Sequence, residues 1–307
     1  MMQDGSRKAI VAAFFANLGI AVAKFVGFAL TRSTGLLAEA GHSLADTGNQ
    51  ALLILGAKRA KKRPDREFQF GYGRERYFWS FVVALVLFSM GGLFALYEGI
   101  QKLSHPHETE KLPVAIAILL VAIALETFSL RTAVKEARHI KPAGMSWMRF
   151  IRTSKQPELS VVLLEDVGAE AGLILALSGV MLAHYTHEPR WDAIGSISIG
   201  VLLIVIAIVL AVETKALLIG ESASDADIDS ISGAIVREST VTSILNLRTV
   251  HISPDEILVA AKVHFAETLA VTQVADAINR IEENVRAAVP AARYVFVEPD
   301  NPRILAP

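Results

Sequence analysis

The chain has 307 residues, 52% of them hydrophobic and only 20% charged, with no cysteine and a formal net charge of -1. A mean hydropathy of +0.43 is too apolar for an ordinary soluble protein and predicts a polytopic membrane protein with room for a second domain. Without cysteine there are no disulfides and no thiolate ligands, which disfavours copper(I) and iron-sulfur chemistry, and the near-zero net charge gives no case for nucleic acid.

A bilayer span needs about 20 mostly apolar residues. Six stretches qualify: Ala9 to Leu30, Leu36 to Gly56, Phe78 to Ile100, Pro113 to Ala133, Ser160 to Ala183 and Ile194 to Leu218. The first is long enough to cross and lacks a small-residue cleavage site, so it reads as a membrane helix rather than a cleavable signal. Basic residues crowd one set of loops, from Lys58 to Arg76 and from Arg131 to Lys155, while the opposite set holds only Arg32, Lys102, Lys111 and Arg190. The positive-inside bias therefore places both termini in the cytoplasm, and in a bacterial cell the membrane would be the inner one.

After Gly220 the rhythm becomes that of a soluble domain. Ser224 caps a predicted helix running to about Glu238, with Asp227 in its first turn. Leu245 to Ile252 and Ile257 to Phe265 read as strands joined by a turn at Ser253-Pro-Asp-Glu256. Gln273 to Val289 has helical apolar spacing, and Arg293 to Val297 is a last strand. The expected fold is thus an α-helical polytopic membrane protein of six spans, residues 1–220, followed by a small α+β, ferredoxin-like cytoplasmic domain of order α-β-β-α-β, residues 221–307. So small a core suits pairing with a second copy as a homodimer.

The second span contains Glu39, His42, Asp46 and Asn49, which share one helix face, with His42 and Asp46 an i, i+4 pair able to grip one ion. A charge at bilayer depth costs at least ~2.5 kcal/mol, so this stripe must face protein or water. In the fifth span Asp166 and Glu170 form a second i, i+4 pair, with Glu165 beside them. Carboxylates on two helices meeting one imidazole suit zinc, and also manganese, iron(II) or cobalt(II), better than calcium or magnesium. A buried structural network without an ion is the competing reading. Asn17 offers an amide oxygen or a helix-helix hydrogen bond, Lys24 pairs with a carboxylate or snorkels, and Glu126 is a proton-path residue or a partner for Lys24. No His-Glu-x-x-His, Gly-x-Ser-x-Gly or P-loop is present, so proteolysis, acyl transfer and ATP-driven pumping lack their residues.

Five segments together resemble the cation diffusion facilitator family, around the branch of the animal mitochondrial zinc transporter. They are Leu37-Ala-Glu-Ala-Gly-His-Ser-Leu-Ala-Asp-Thr-Gly-Asn-Gln50, Phe70-Gly-Tyr-Gly-Arg-Glu-Arg76, Lys155-Gln-Pro157 with Val162-Leu-Leu-Glu-Asp166, Trp191-Asp-Ala-Ile-Gly-Ser196 and Leu217-Leu-Ile-Gly-Glu221. The resemblance implies a transport site of two ligands from the second helix, matching His42 and Asp46, and two from the fifth, of which one matches Asp166. The other falls on Val162, so the fourth ligand is left to Glu165, Glu170, Asn17 or water. A second family site in the loop after the second span keeps Asp65 but has Phe68 and Tyr72 where histidines would stand. In the cytoplasmic domain only His264 and Glu298 match family ligand positions, which argues against a binuclear zinc site there. The implied function is not enzymatic: the exchange of a divalent cation, zinc first, for protons by alternating access, with no prosthetic group. The alternative is a non-transporting membrane protein with a degenerate metal site.

Overall fold

The computed structural model describes residues 2–31, 34–105 and 112–302, with the side chains of 2–9, 12, 13, 16, 27, 28, 30, 31 and 34–42 left aside. It divides into two compact units, one of Met1–Arg63 with Glu75–Lys215 and the other of Pro64–Arg74 with Ala216–Pro307. The sequence boundary at 220/221 leaves the 64–74 loop with the membrane part, whereas in the structure this loop belongs to the second unit.

The first unit is helical: α1 (Met2–Thr31), α2 (Thr34–Arg59), α3 (Glu75–Val86), α4 (Phe94–Ser104), α5 (Leu112–Ile140), α6 (Trp147–Thr153), α7 (Pro157–Thr186) and α8 (Arg190–Ile219). A π-helical stretch, Leu87–Leu93, joins α3 to α4 in one rod. That rod, α5 and α8 are each long and apolar enough to cross a bilayer, so this is a helical membrane domain. Its surface is the inverse of a soluble protein's. Leu120, Val121, Phe128, Val201 and Val205 lie exposed, while Asn17, Lys24, Gln50, Glu126, Glu165 and Asp166 are buried. Apolar groups facing outward and polar groups facing inward are what lipid as solvent selects.

The helices extend beyond the apolar stretches because hydropathy marks only the part in hydrocarbon. The short α6 lies in a stretch the sequence reading treats as loop; its N-cap Ser146 accepts a hydrogen bond from the Arg149 amide at 3.3 Å. Close helix approach uses small residues, and α8 meets the α3–α4 rod through one of them. A Cβ on Gly200 of α8 would stand 2.7 Å from the Leu96 amide nitrogen and 3.0 Å from the Gly92 carbonyl oxygen, both backbone atoms. Gly200→Ala is therefore expected to force α8 away from the α3–α4 rod and destabilise the unit by about 1–3 kcal/mol. Thermal melts in detergent measure this, and an unchanged melting temperature would refute the close contact.

The second unit follows the predicted order: α9 (Asp225–Val236), β1 (Val241–Ser253), β2 (Glu256–Phe265), α10 (Val271–Ala288) and β3 (Tyr294–Pro299). Ser224 caps α9 as expected, its Oγ accepting from the Asp227 amide at 3.2 Å. The strand order is β1-β2-β3, with β1 antiparallel and β3 parallel to the central β2. Alternate residues of β2, Ile257, Val259, Ala261 and Val263, point into a core closed by Ile231 and Ile235 of α9 and Ala277, Ile281 and Val285 of α10.

Glu238, after α9, receives two hydrogen bonds from Arg280 of α10, at 2.9 and 3.0 Å. The Arg280 bonds, with a further one from Thr240, hold its carboxyl down at about 2 against a usual value of 4.5. A depressed acid stabilises the folded state above the unfolded pKa, and that contribution is lost as pH falls through about 2. Wild type should thus become pepsin-sensitive in α9 and α10 on acidification from pH 4.5, with a flatter profile in Glu238→Gln. Identical profiles would contradict this.

Candidate metal centre

Three helices of the membrane unit bring acidic groups together. Asp166 of α7 is 1% exposed and accepts a hydrogen bond from Ser129 Oγ of α5 at 2.8 Å. Asp46 of α2 is partly buried. Glu126 of α5 is 6% exposed, and its Oε2 has no hydrogen-bond partner among the described residues. Glu165 of α7 accepts from Asn49 Nδ2 at 3.0 Å and Gln50 Nε2 at 2.9 Å. Asp46, Glu126, Glu165 and Asp166 all lie within range of one another's charge. The charge of Lys24 on α1 also reaches Glu126, and carboxylates in excess of that one cation repel one another unless a bound cation or protons neutralise them.

The other predicted residues fall as follows. The side chains of His42 and Glu39 lie outside the described residues. Among the described residues no three of His, Asp or Glu are close enough to hold one ion. Glu170 accepts from Thr127 Oγ1 at 2.9 Å, and its Oε2 has no partner among the described residues. Asn17 donates from Nδ2 to Gln50 Oε1 at 3.2 Å, a helix-helix hydrogen bond. Val162 is fully buried in the apolar core beside Leu159 and Leu163. Lys24 is buried and donates to Ser43 Oγ at 2.9 Å, so it does not snorkel to the interface.

Sequence reasoning missed Ser129, Thr127 and Gln50. A signal for two of them existed: Ser129 follows Glu126 by three residues and Gln50 follows Asp46 by four, so each shares a face with a residue already singled out.

In the 64–74 loop, Asp65 serves the fold. Its Oδ1 accepts from the amides of Glu67 and Phe68 at 3.0 and 2.9 Å, its Oδ2 accepts from Tyr72 OH at 2.5 Å, and the Phe68 and Tyr72 rings lie 4.6 Å apart. The two residues that stand in place of histidines close the loop with hydrogen bonding and ring contact. In the sheet unit, Glu298 accepts from Lys262 Nζ at 2.9 Å and the His264 ring lies 3.3 Å from the Asp300 carbonyl oxygen.

An outward-apolar helical unit with ionisable groups gathered inside defines an ion-handling membrane protein. The cation efflux transmembrane domain matches residues 10–219, so the chain belongs to the cation diffusion facilitator, or cation efflux, family of multi-pass integral membrane proteins. It is 32% identical over 244 residues to the human proton-coupled zinc antiporter SLC30A9, mitochondrial, covering 79% of this chain and 43% of that protein. Metal tolerance protein C4 of Arabidopsis thaliana is 25% identical, covering 97% of this chain and 74% of the relative. Zinc transporter ZitB of Pectobacterium atrosepticum is 34% identical over 122 residues, 40% of this chain and 37% of the relative. The chain spans less than half the length of the animal relatives it matches. SLC30A9 and ZitB are by name an antiporter and a transporter, not enzymes.

Proposed function

We propose that this protein is a proton-coupled divalent metal antiporter, with zinc as its first cargo, moving the ion out of the cytoplasm by alternating access. Six spans, α1, α2, the α3–α4 rod, α5, α7 and α8, cross the bilayer, with both termini cytoplasmic. The basic loops at Lys58 to Arg76 and Arg131 to Lys155 support that orientation. The observation that carries the function is the gathering of carboxylates inside the helical unit, with Glu126, Glu165 and Asp166 of α5 and α7 buried and Asp46 of α2 partly buried.

His42, Asp46 and Asp166 are the proposed ligands, with water or Glu170 completing the shell. Ligands must be deprotonated to take a metal, so one set of groups holds either the cation or protons, never both in full. Protons entering from outside discharge the metal, and cytoplasmic metal displaces the protons. Glu126, across on α5 with its Oε2 unpartnered among the described residues, is the relay through which those protons leave. The α-β-β-α-β unit, ferredoxin-like in its order, has a core small enough to suit self-association into a homodimer.

The test is zinc flux in proteoliposomes under an imposed proton gradient. Wild type should carry zinc and Asp46→Ala should not; equal flux in the two would remove the site. Ser129→Ala, which strips the hydrogen bond orienting Asp166, should weaken zinc binding about tenfold by titration, the low end for a group supporting a ligand. Full affinity there would show that Asp166 needs no support. The loss of an imidazole position at Val162 favours a second cargo reading, manganese or iron(II), which competition across metals decides. Absence of any saturable metal binding would favour the non-transporting alternative.

A further inference from the structure

Glu165 stands beside a proposed ligand, and its side chain goes elsewhere. Successive residues on a helix diverge by about 100°. Asp166 accordingly reaches Ser129 on α5, while both carboxylate oxygens of Glu165 reach α2, at Asn49 and Gln50. Gln50 in turn accepts from Asn17 of α1, so one chain of hydrogen bonds links α1, α2 and α7. The four side chains are nearly sealed, from 0% exposed for Gln50 to 4% for Glu165.

Asn49 and Gln50 lie three and four residues beyond Asp46, on the same face of α2 and about one turn, ~5.4 Å, along it. The amide-carboxylate bonds therefore fix the register of α2 against α7 one turn from the place where Asp46 and Asp166 sense each other. Sealing a carboxyl group in a dry surround without hydrogen-bond partners would be costly, and these bonds supply them.

We infer that Glu165 is a positioning residue: with Asn49, Gln50 and Asn17 it forms a polar tie that sets α2 against α7 and so presents Asp46 to the metal held with Asp166. The inference rests on the proposed metal site for its effect on transport, and on the hydrogen bonds alone for the tie. It separates Glu165 from the ligand set in which the sequence left it open.

Three variants in the full-length protein test it. Glu165→Ala should raise the KM for zinc flux about tenfold, with the ranking of zinc over manganese unchanged. Glu165→Gln should recover most of the loss, because the new amide keeps one acceptor oxygen, and Asn49, by turning its amide over, can offer Oδ1, which has no partner among the described residues. A direct ligand would behave otherwise: Glu165→Gln as impaired as Glu165→Ala, together with a changed metal ranking, would overturn the inference. The third measurement needs no metal. In melts of metal-free protein, Glu165→Ala and Gln50→Ala should be non-additive, the double variant melting near the worse single one, whereas additive losses would overturn the tie. If Glu165→Ala does not fold, the cycle is run with Glu165→Gln and Asn49→Ala, under the same criterion. A wild type that binds no zinc would overturn the transport reading, while the metal-free cycle would still decide the tie.

Discussion

Asp166→Asn is expected to lower metal-driven transport by at least about a hundredfold while leaving the protein folded. The amide is nearly isosteric with the carboxylate, and its Oδ1 can still accept the Ser129 hydrogen bond that holds the native side chain at 2.8 Å. What disappears is the charge. A neutral amide is a far weaker ligand for a divalent cation and cannot take up a proton when the cation leaves, so both halves of the exchange fail at one atom. Altering a group that merely supports a ligand already costs 10 to 100-fold, and removing the ligand charge should exceed that. Flux in proteoliposomes, with a melting curve to show that the variant is folded, measures the effect. Flux near the wild-type level would mean that Asp166 is structural and that the cation passes elsewhere.

The second large effect concerns stability. Glu158, in the first turn of α7, is 1% exposed and is held by Arg76 at the start of α3 through two parallel hydrogen bonds, one from Nε to Oε1 and one from Nη2 to Oε2, the latter at 3.0 Å. The pair is bidentate, and Glu158 also sits where the α7 dipole favours an anion. Desolvation offsets much of the attraction, so the intact pair adds little net stability; breaking it strands a buried charge. Glu158→Ala is expected to destabilise the membrane unit by about 3–5 kcal/mol, and the double variant with Arg76→Ala by less than the sum of the singles. Detergent melts of the four proteins would show this, and a loss under 1 kcal/mol in Glu158→Ala would contradict it.

Most of the architecture was readable in the residues because two simple periodicities govern it. The predominantly apolar run from Ile194 to Leu218 announces a helix in lipid, and the alternation through Ile257, Val259, Ala261 and Val263 announces a strand with one buried face. Polar groups in the apolar runs were equally visible, since each is expensive there. What the sequence could not supply is the partner across a helix interface. The rule of three and four places Asp46, Asn49 and Gln50 on one face, yet gives no register for α7, so the Glu165 tie and the Ser129 bond to Asp166 required coordinates. The 64–74 loop is a similar case. Its internal turn, built by Asp65 and Tyr72, is local, but its membership of the sheet unit depends on contacts such as Phe70 against Tyr294 at 5.2 Å, more than 200 residues away in the chain. A resemblance to a family can carry ligand positions such as Asp166. It does not carry the roles of residues peculiar to this chain, which is why Val162, at an expected ligand position, proves to be packed in the apolar core.

The central claim is that one set of groups, His42, Asp46 and Asp166, holds either a divalent cation or protons. It is tested most directly by adding zinc to purified protein in weakly buffered detergent and recording pH. The predicted result is a saturable release of protons that follows zinc occupancy and is lost in Asp46→Ala and Asp166→Ala. Saturable zinc binding with no proton release, or release that survives both substitutions, would contradict it.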